Sequence, residues 1–588
     1  MKSLRRLYPF LHPYRVPSLI AMLLLLAMVG ADLLIPHLTQ RIIDEGIATG
    51  NLQVVISTAL FMAGAALLSA CFAVANNYLS VSVSMAFGAD LRSALIRKVQ
   101  TFSFANLDTL QTGKLIVRST SDVSAVQMIV MLLLRILTRA PIWAIGAIIL
   151  LIITSPRLAP IMVVAIPFII LLVWLFGRKA QPLFLHVQQL LDRLNVVLQE
   201  NLAGVRVVKA FVRNEHEAER FATANDDLMS GTIDVARLMA IFSPIMLLIL
   251  NLAVTAAVWL GGKTALAGDM SVGEVVAAVN YLSFALFPIL MLSGMLGPIS
   301  AADASARRIL EILDTKTQPR RAEALRLDQP QGHIVFEDVS FRYPGDSCEE
   351  VLSSINFCVK PGETVAIVGA TGSGKSTLIH LIPRFYDVSS GRVTFDGVDV
   401  RDLDPAELRG MIGIALQETV LFSGTIADNI RYGRRDASDE EVKAAARAAQ
   451  AESFIEDFPD GYATLVGQRG VTLSGGQRQR IAIARALLVK PQVLILDDST
   501  SALDIETEIK LQDALDALIA ASHNSTTRII VAQRVSTVLL ADKIIVLDQG
   551  RISGCGSHQQ LLRENQVYRD IYRSQLGEPP LAAERGEA

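Results

Sequence analysis

Thr364-Val-Ala-Ile-Val-Gly-Ala-Thr-Gly-Ser-Gly-Lys-Ser-Thr377 runs from an apolar, β-branched stretch into a glycine-rich loop and then a lysine followed by two hydroxyls. The pattern predicts a strand over 364–368, a loop over Gly369, Ala370, Thr371, Gly372, Ser373 and Gly374, and a helix opening at Lys375, Ser376 and Thr377. Glycines let consecutive N–H groups curl toward one anion. The helix start adds partial positive charge, Lys375 adds a full one, and the Ser376 hydroxyl suits Mg²⁺. This is a phosphate-binding loop.

Further along, Val493-Leu-Ile-Leu496 reads as a buried strand that ends in Asp497 and Asp498. One carboxylate there can reach a Mg²⁺ shell, and the second an attacking water. Paired acids after a strand are weak evidence alone. They gain weight beside the loop and beside Leu473, Ser474, Gly475, Gly476 and Gln477, a second glycine-rich run. From 332 onward short β-branched runs alternate with helical segments, the texture of an α/β domain.

The other half of the chain has a different solvent. Over 588 residues the mean hydropathy is +0.42 and 51% of residues are hydrophobic, too apolar for an entirely soluble protein. Long, nearly charge-free stretches occupy 17–38, 54–83, 140–154, 158–176, 241–260 and 272–295. A bilayer core of about 30 Å needs roughly 20 helical residues, so these predict six spans. The third is short unless it begins near Ile129, before Arg135 and Arg139. The first follows Lys2, Arg5 and Arg6 but is too long for a secretion signal. The connections 87–130 and 177–240 are long and basic, which places them, and with six spans both termini, in the cytoplasm. Apolar residues at helical spacing (Phe184, Val187, Leu190, Leu191, Leu194) extend the membrane helices into the cytosol. A net charge of −3 gives no reason to expect nucleic acid as a partner. Cys71, Cys348, Cys358 and Cys555 lack metal-knuckle or disulfide spacing and read as packing residues.

Together these runs resemble the ABC transporter superfamily, over nearly the whole chain from Leu4 to Leu562. The resemblance implies a multidomain protein: an all-α, six-helix transmembrane domain of the exporter type (1–313), a polar linker (314–331), an α/β P-loop ATP-binding domain (332–576) and a polar tail (577–588). It implies ATP and Mg²⁺ as cofactors, with Ser376, Gln417 and Asp497 at the metal. Leu473–Gln477 looks like the family signature, which closes over ATP held by a second half-transporter, and Ser501-Ala-Leu-Asp504 matches a loop that touches that partner. Tyr343 would stack on adenine, or pack locally as a strand tyrosine. Val205-Arg-Val-Val-Lys-Ala-Phe211 resembles the short helix that couples spans to an ATP domain, or is an ordinary amphipathic surface.

Two positions depart from the family pattern. Asp498 stands where a glutamate is usual, and the carboxylate is drawn back by about 1.5 Å. Gln533 replaces a histidine, and an amide carries no charge and relays no proton. The coincidence resembles the degenerate half of a heterodimeric exporter. On that expectation the chain's own site hydrolyses ATP poorly, while its signature completes the active site of a partner. The alternatives are a homodimer with slow ATPase and an ATP-gated channel. Gln468, where many exporters have glutamate, settles nothing. The expected cargo is a small lipophilic molecule, a lipid or a peptide, and the expected location is the cell membrane. Arg135 and Arg139 either snorkel to the interface or meet an anionic headgroup or drug. Asp32 either faces an outer aqueous opening or is a structural hydrogen-bonder.

Overall fold

A computed structural model describes residues 2–110, 112–293, 295–316, 325–343, 349–467, 470–521, 526–532, 534–539 and 541–576. Much of the expected linker (317–324) and all of the tail (577–588) lie outside them. Contacts divide the chain into two units: Met1–Gln100 with Thr112–Thr315, and Thr101–Gln111 with Lys316–Ala588.

In lipid every backbone N–H and C=O must be bonded within the segment, so apolar runs of this length become helices. The first unit is built accordingly. Five helical stretches are long and apolar enough to cross a membrane: His12–Ile47, Leu52–Gln100, Thr112–Thr154, Pro160–Ala203 and Asn214–Leu266; Val272–Pro288 is a shorter apolar helix. The third expected span proves to be the end of a continuous helical stretch, with π-turns at Arg118–Asp122 and Leu133–Leu137 that carry it past Arg135 and Arg139. Helices of 49, 44 and 53 residues reach far beyond a core of about 30 Å at about 1.5 Å per residue. They extend past their apolar stretches as the spacing of 184–198 predicts.

Several polar side chains on the apolar segments are paired locally, with other side chains or with backbone carbonyls. Asp32 accepts from Ser69 Oγ at 2.6 Å and from Arg139 Nη2 at 3.2 Å, which makes it a structural hydrogen-bonder. Asn76, 5% exposed, donates to the Ala21 carbonyl at 2.7 Å, and the buried Tyr281 hydroxyl donates to the Leu33 carbonyl at 3.2 Å. Unpaired, each would carry a large desolvation cost. Nearer the end of this unit, Asp122 is 3% exposed. It accepts from Ser305 Oγ at 2.8 Å and from both Nε and Nη2 of Arg308, tying the stretch 112–154 to the helix Leu296–Asp314.

The second unit contains a six-stranded sheet in the order Arg551–Gly556, Lys543–Asp548, Thr364–Val368, Thr527–Val531, Val493–Asp497, Ile412–Ala415, and a four-stranded sheet built around Ile334–Phe341. The central strands are parallel, with Val531 opposite Ile367 on one side and Asp497 on the other. Both faces are covered, which is why these strands read as continuous apolar runs. Leu494 and Leu496 pack with Ile481 and Ile483 of the helix Gly475–Leu488, while Val493 and Ile495 pack with Leu378 and Ile379 of the helix Lys375–Leu381. Cys71, Cys358 and Cys555 are free thiols but exposed, so they are not the packing residues expected; Cys348 lies outside the described residues.

Replacing Asp122 by alanine removes the acceptor of the buried Ser305 O–H, whose oxygen keeps only the 3.0 Å contact from Arg308 Nη2, and leaves the Arg308 guanidinium without its carboxylate. The expected cost is about 1–3 kcal/mol, read as a lower thermal unfolding midpoint of the full chain in lipid nanodiscs, with Asp122→Asn intermediate.

Candidate functional site

Parallel strands deliver their C-terminal ends to one edge, and that edge collects motifs that are far apart in sequence. Thr364–Val368 leads into the phosphate loop, Val493–Asp497 into Asp497 and Asp498, and Ile412–Ala415 toward Gln417. At Gly369 a Cβ would stand 2.2 Å from the Leu547 carbonyl oxygen, so no side chain fits there. Gly374, at φ +99°, turns the chain into the helix Lys375–Leu381.

Lys375 Nζ donates to the carbonyls of Gly369 at 2.9 Å and Ala370 at 2.8 Å, bracing the loop from within. Burial lowers the Lys375 pKa, and the nearby charges of Asp497 and Asp498 oppose that shift. Ser376 Oγ donates to Asp497 Oδ1 at 3.2 Å. Burial pushes the Asp497 carboxyl up to about 6 against that hydrogen bond. Ser373 is 5% exposed, and its hydroxyl has no hydrogen-bond partner among the described residues. A buried hydroxyl without a partner, an ammonium bonded only to its own loop, and a buried carboxylate short of positive charge suit a nucleotide phosphate with a divalent cation. Ser376 and Asp497 would hold Mg²⁺, which supplies charge to the phosphate oxygens, while Gly369–Thr377 would hold the phosphates.

Asp498 is 8% exposed and adopts φ +48°, a left-handed conformation that aspartate tolerates better than most residues. Its N–H donates to the Val531 carbonyl at 3.0 Å, and its Oδ2 accepts from Gln417 Nε2 at 3.3 Å. Burial raises its pKa, which makes it a stronger proton acceptor than an exposed aspartate. Thus Asp498, Gln417, Asp497 and the phosphate loop come together within one chain.

Other expected residues stand apart from that cluster. Ser474 caps the helix Gly475–Leu488 in a reciprocal capping box with Gln477, and its side chain is exposed. Asp504 spends its carboxylate on Thr507, accepting from the backbone N–H and from the hydroxyl at 2.8 Å each. The Tyr343 hydroxyl shares a 2.9 Å hydrogen bond with Thr377 Oγ1, and its ring meets Phe341 and Tyr386 edge-on at 4.9 and 5.2 Å. Gln533 and Gln468 lie outside the described residues.

Two features went unread in the sequence. Gln479, 7% exposed, donates to the Asp498 carbonyl at 3.4 Å and to Ser501 Oγ at 3.3 Å, and accepts from Ala502 N–H at 3.1 Å. It fastens the helix Gly475–Leu488 to the end of the strand Val493–Asp497. Its signal was its place two residues past the signature, on the same helix. The second is the short helix Phe104–Thr109, which belongs to the nucleotide unit although it interrupts the membrane half of the sequence. Phe104 stacks on Phe385 at 4.2 Å, and Asp108 Oδ2 accepts from the Tyr386 hydroxyl at 2.6 Å. Burial, then that hydrogen bond, raises the Tyr386 pKa, so the phenol stays protonated. The helix is opened by a Ser103–Asn106 capping box, whose asparagine is a weaker sequence cue than glutamate. By contrast Val205–Ala210, expected as the coupling helix, is helical and leaves Val205, Val207 and Phe211 exposed.

A helical membrane unit joined to a phosphate-loop unit on one polypeptide defines a transporter driven by nucleotide hydrolysis. The ABC transporter transmembrane region matches residues 18–289 and the ABC transporter domain matches 352–501, and the chain belongs to the ABC transporters, with an exporter-type arrangement. It is 41% identical over 97% of its length, and 98% of the relative's, to the ABC transporter ATP-binding protein YfiB of Bacillus subtilis. It is 35% identical to the ATP-dependent lipid A-core flippase of Desulfotalea psychrophila, over 97% and 99% of the two chains. Among solved structures, a bacterial Atm1-family ABC exporter with ATP bound superposes with a TM-score of 0.82 at 28% identity, covering 97% and 99%. The second unit is therefore an ABC-type ATPase domain with the capacity to bind ATP and Mg²⁺.

Lys375→Ala removes the loop's only full charge, and ATP affinity measured by calorimetry on the full chain is expected to fall roughly 10–100-fold. Gln479→Leu lets the Asp498 backbone shift, with turnover falling about 100-fold while ATP affinity stays within about threefold of wild type.

Proposed function

We propose that this chain is one half of an ATP-driven exporter that moves a lipophilic solute (a drug, lipid or peptide) out across the cell membrane. In this reading six helices span the bilayer, with the last passing through 272–295, and the nucleotide unit and both termini lie in the cytoplasm. The observation that carries it is the single edge at which Lys375, Ser376, Asp497, Gln417 and Asp498 converge, in a chain matched end to end by an exporter with ATP bound.

A lone chain leaves Leu473–Gln477 without a nucleotide to close on. Two chains would place each signature over the phosphate loop of the other, with Asp504 and its neighbours at the seam and Tyr343 beside the adenine. ATP drives closure only to the extent that it binds the closed state more tightly than the open one. Phe104–Thr109, carried on the nucleotide unit of its own chain, and Val205–Phe211, whose apolar side chains are free to meet a second chain, would transmit that closure to the long helices. Within the site Asp498 would orient the attacking water and take up its proton, with Gln417 fixing the carboxylate.

The pairing we favour is two copies of this chain with slow ATP turnover. Its support is a buried, hydrogen-bonded Asp498 with a raised pKa, beside Gln417 and near Asp497 and Ser376. The comparisons carry nothing for the heterodimer with a degenerate site that Asp498 and Gln533 suggest from sequence, and they fit the two-copy arrangement better. The heterodimer remains the second reading on the strength of those two substitutions alone.

Steady-state ATP hydrolysis by the purified chain in liposomes separates the two. Two copies acting together predict slow turnover by the chain alone, lost by at least about 100-fold in Asp498→Asn and raised in Asp498→Glu. No turnover until a different half-transporter is added, with activity then surviving Asp498→Asn, contradicts that pairing and establishes the heterodimer.

A further inference from the structure

Among the apolar helices of the first unit lies a cavity of about 270 Å³, lined by Arg135, Arg139, Trp143, Asn76 and Asn77 and, on its apolar side, by residues such as Met28. Its polar atoms are lopsided. Arg139 donates through Nη2 to Asp32 and lies 4.6 Å over the Trp143 ring, but its buried Nε has no acceptor among the described residues. Nor, among them, has the buried Trp143 Nε1. Among the described residues Arg135 has neither an ion-pair nor a hydrogen-bond partner. Asp32, the carboxylate at this cluster, is already shared between Arg139 and Ser69. Asn76 spends its amide N–H groups on the Ala21 and Leu134 carbonyls. Among the described residues the cavity therefore offers Arg135, Arg139 Nε, Trp143 Nε1 and the Asn77 amide as donors, the first bearing an uncompensated positive charge, and no free carboxylate.

Depth sharpens the mismatch. Arg135 and Arg139 precede the helix end at Thr154 by about 22–28 Å at 1.5 Å per residue, so both sit within or at the edge of the apolar layer. A guanidinium held at that level without a counter-charge is costly, and charged groups retained there mark ligand paths. Snorkelling does not account for Arg139, which turns to Asp32 and Trp143. The volume lies just below that of pockets enclosing whole drug-sized ligands, and suits an acidic head with the first part of its chain.

We infer that this cavity binds the head of an anionic amphiphile, a phosphate or carboxylate on an apolar tail. The acid oxygens accept from Arg135, Arg139 Nε and Trp143 Nε1, and the tail lies along the Met28 side. This deepens the export reading by naming the class of cargo, and it rests on that reading.

Trp143 reports on its own site. In the full chain carrying Trp174→Phe and Trp259→Phe, reconstituted in phosphatidylcholine nanodiscs without ATP, dodecyl phosphate is expected to shift the fluorescence saturably. Arg135→Gln weakens that binding roughly tenfold or more while Arg135→Lys keeps most of it, and dodecyltrimethylammonium gives no saturable response. Adding phosphatidylglycerol to the nanodiscs raises the apparent Kd for dodecyl phosphate if bilayer lipid supplies the head, and leaves it unchanged if a soluble amphiphile does; either supports the site. Equal binding of the cationic probe, or an unchanged Kd in Arg135→Gln, overturns it. Because binding is read without ATP, its loss sinks the site alone. Intact binding without ATP-dependent transport sinks the export reading instead.

Discussion

The Leu547 carbonyl oxygen occupies the space a Cβ on Gly369 would need, leaving 2.2 Å between them. That one close approach seats the phosphate loop tightly against the strand Lys543–Asp548, and the rest of the nucleotide site is arranged around it. With the loop fixed, Lys375 braces it through two carbonyls, Ser376 reaches Asp497, and the sheet register sets Asp497 beside Val531. Asp498 follows in a left-handed turn held by Val531, Gln417 and, through Gln479, the signature helix. Phosphate chemistry needs positioned donors and charges more than covalent partners, and this edge supplies them from four separate parts of the chain.

The membrane half obeys a harsher rule, since lipid offers no substitute for a missing hydrogen bond. Asp32 with Ser69 and Arg139, Asn76 with Ala21, and Tyr281 with Leu33 each close a polar account locally. Around one cavity, Arg135 and the buried donors of Arg139 and Trp143 depart from this pattern, and the inferred anionic head would supply the acceptors they lack. Helices of up to 53 residues run on from the apolar layer as rigid elements, a geometry suited to carrying motion between a site in water and a cavity in lipid.

Much of this was legible in the sequence because the motifs are short, contiguous and rich in residues with one physical use. The glycines and lysine of 369–375, the acids after Val493–Leu496, the glycine-rich run Leu473–Gln477 and the apolar runs each announce themselves. What escaped depends on contacts between distant segments. Gln479 looks like any helix glutamine until its two-ended grip on Asp498 and Ala502 is seen, and Phe104–Thr109 looks like part of a basic loop until Phe385 and Tyr386 meet it. The third span looked short because Arg135 and Arg139 interrupt the hydropathy, although one of them is neutralised by an aspartate far away in sequence. The expected weakness of Asp498 rested on one lost methylene, and no motif reveals how burial and Gln417 condition the carboxylate that remains.

The central claim, that ATP draws two copies of this chain together at their nucleotide units, is tested most directly by one distance. A single spin label at Ile509, which is 53% exposed, is placed in a full-length background carrying Cys71→Ser, Cys348→Ser, Cys358→Ser, Cys555→Ser and Asp498→Asn. Pulsed electron resonance in nanodiscs then reads the separation between copies. The account predicts a single inter-copy distance that shortens when ATP and Mg²⁺ are added and stays long when Lys375→Ala is introduced. An absent inter-copy distance, or one that ATP leaves unchanged, would contradict it.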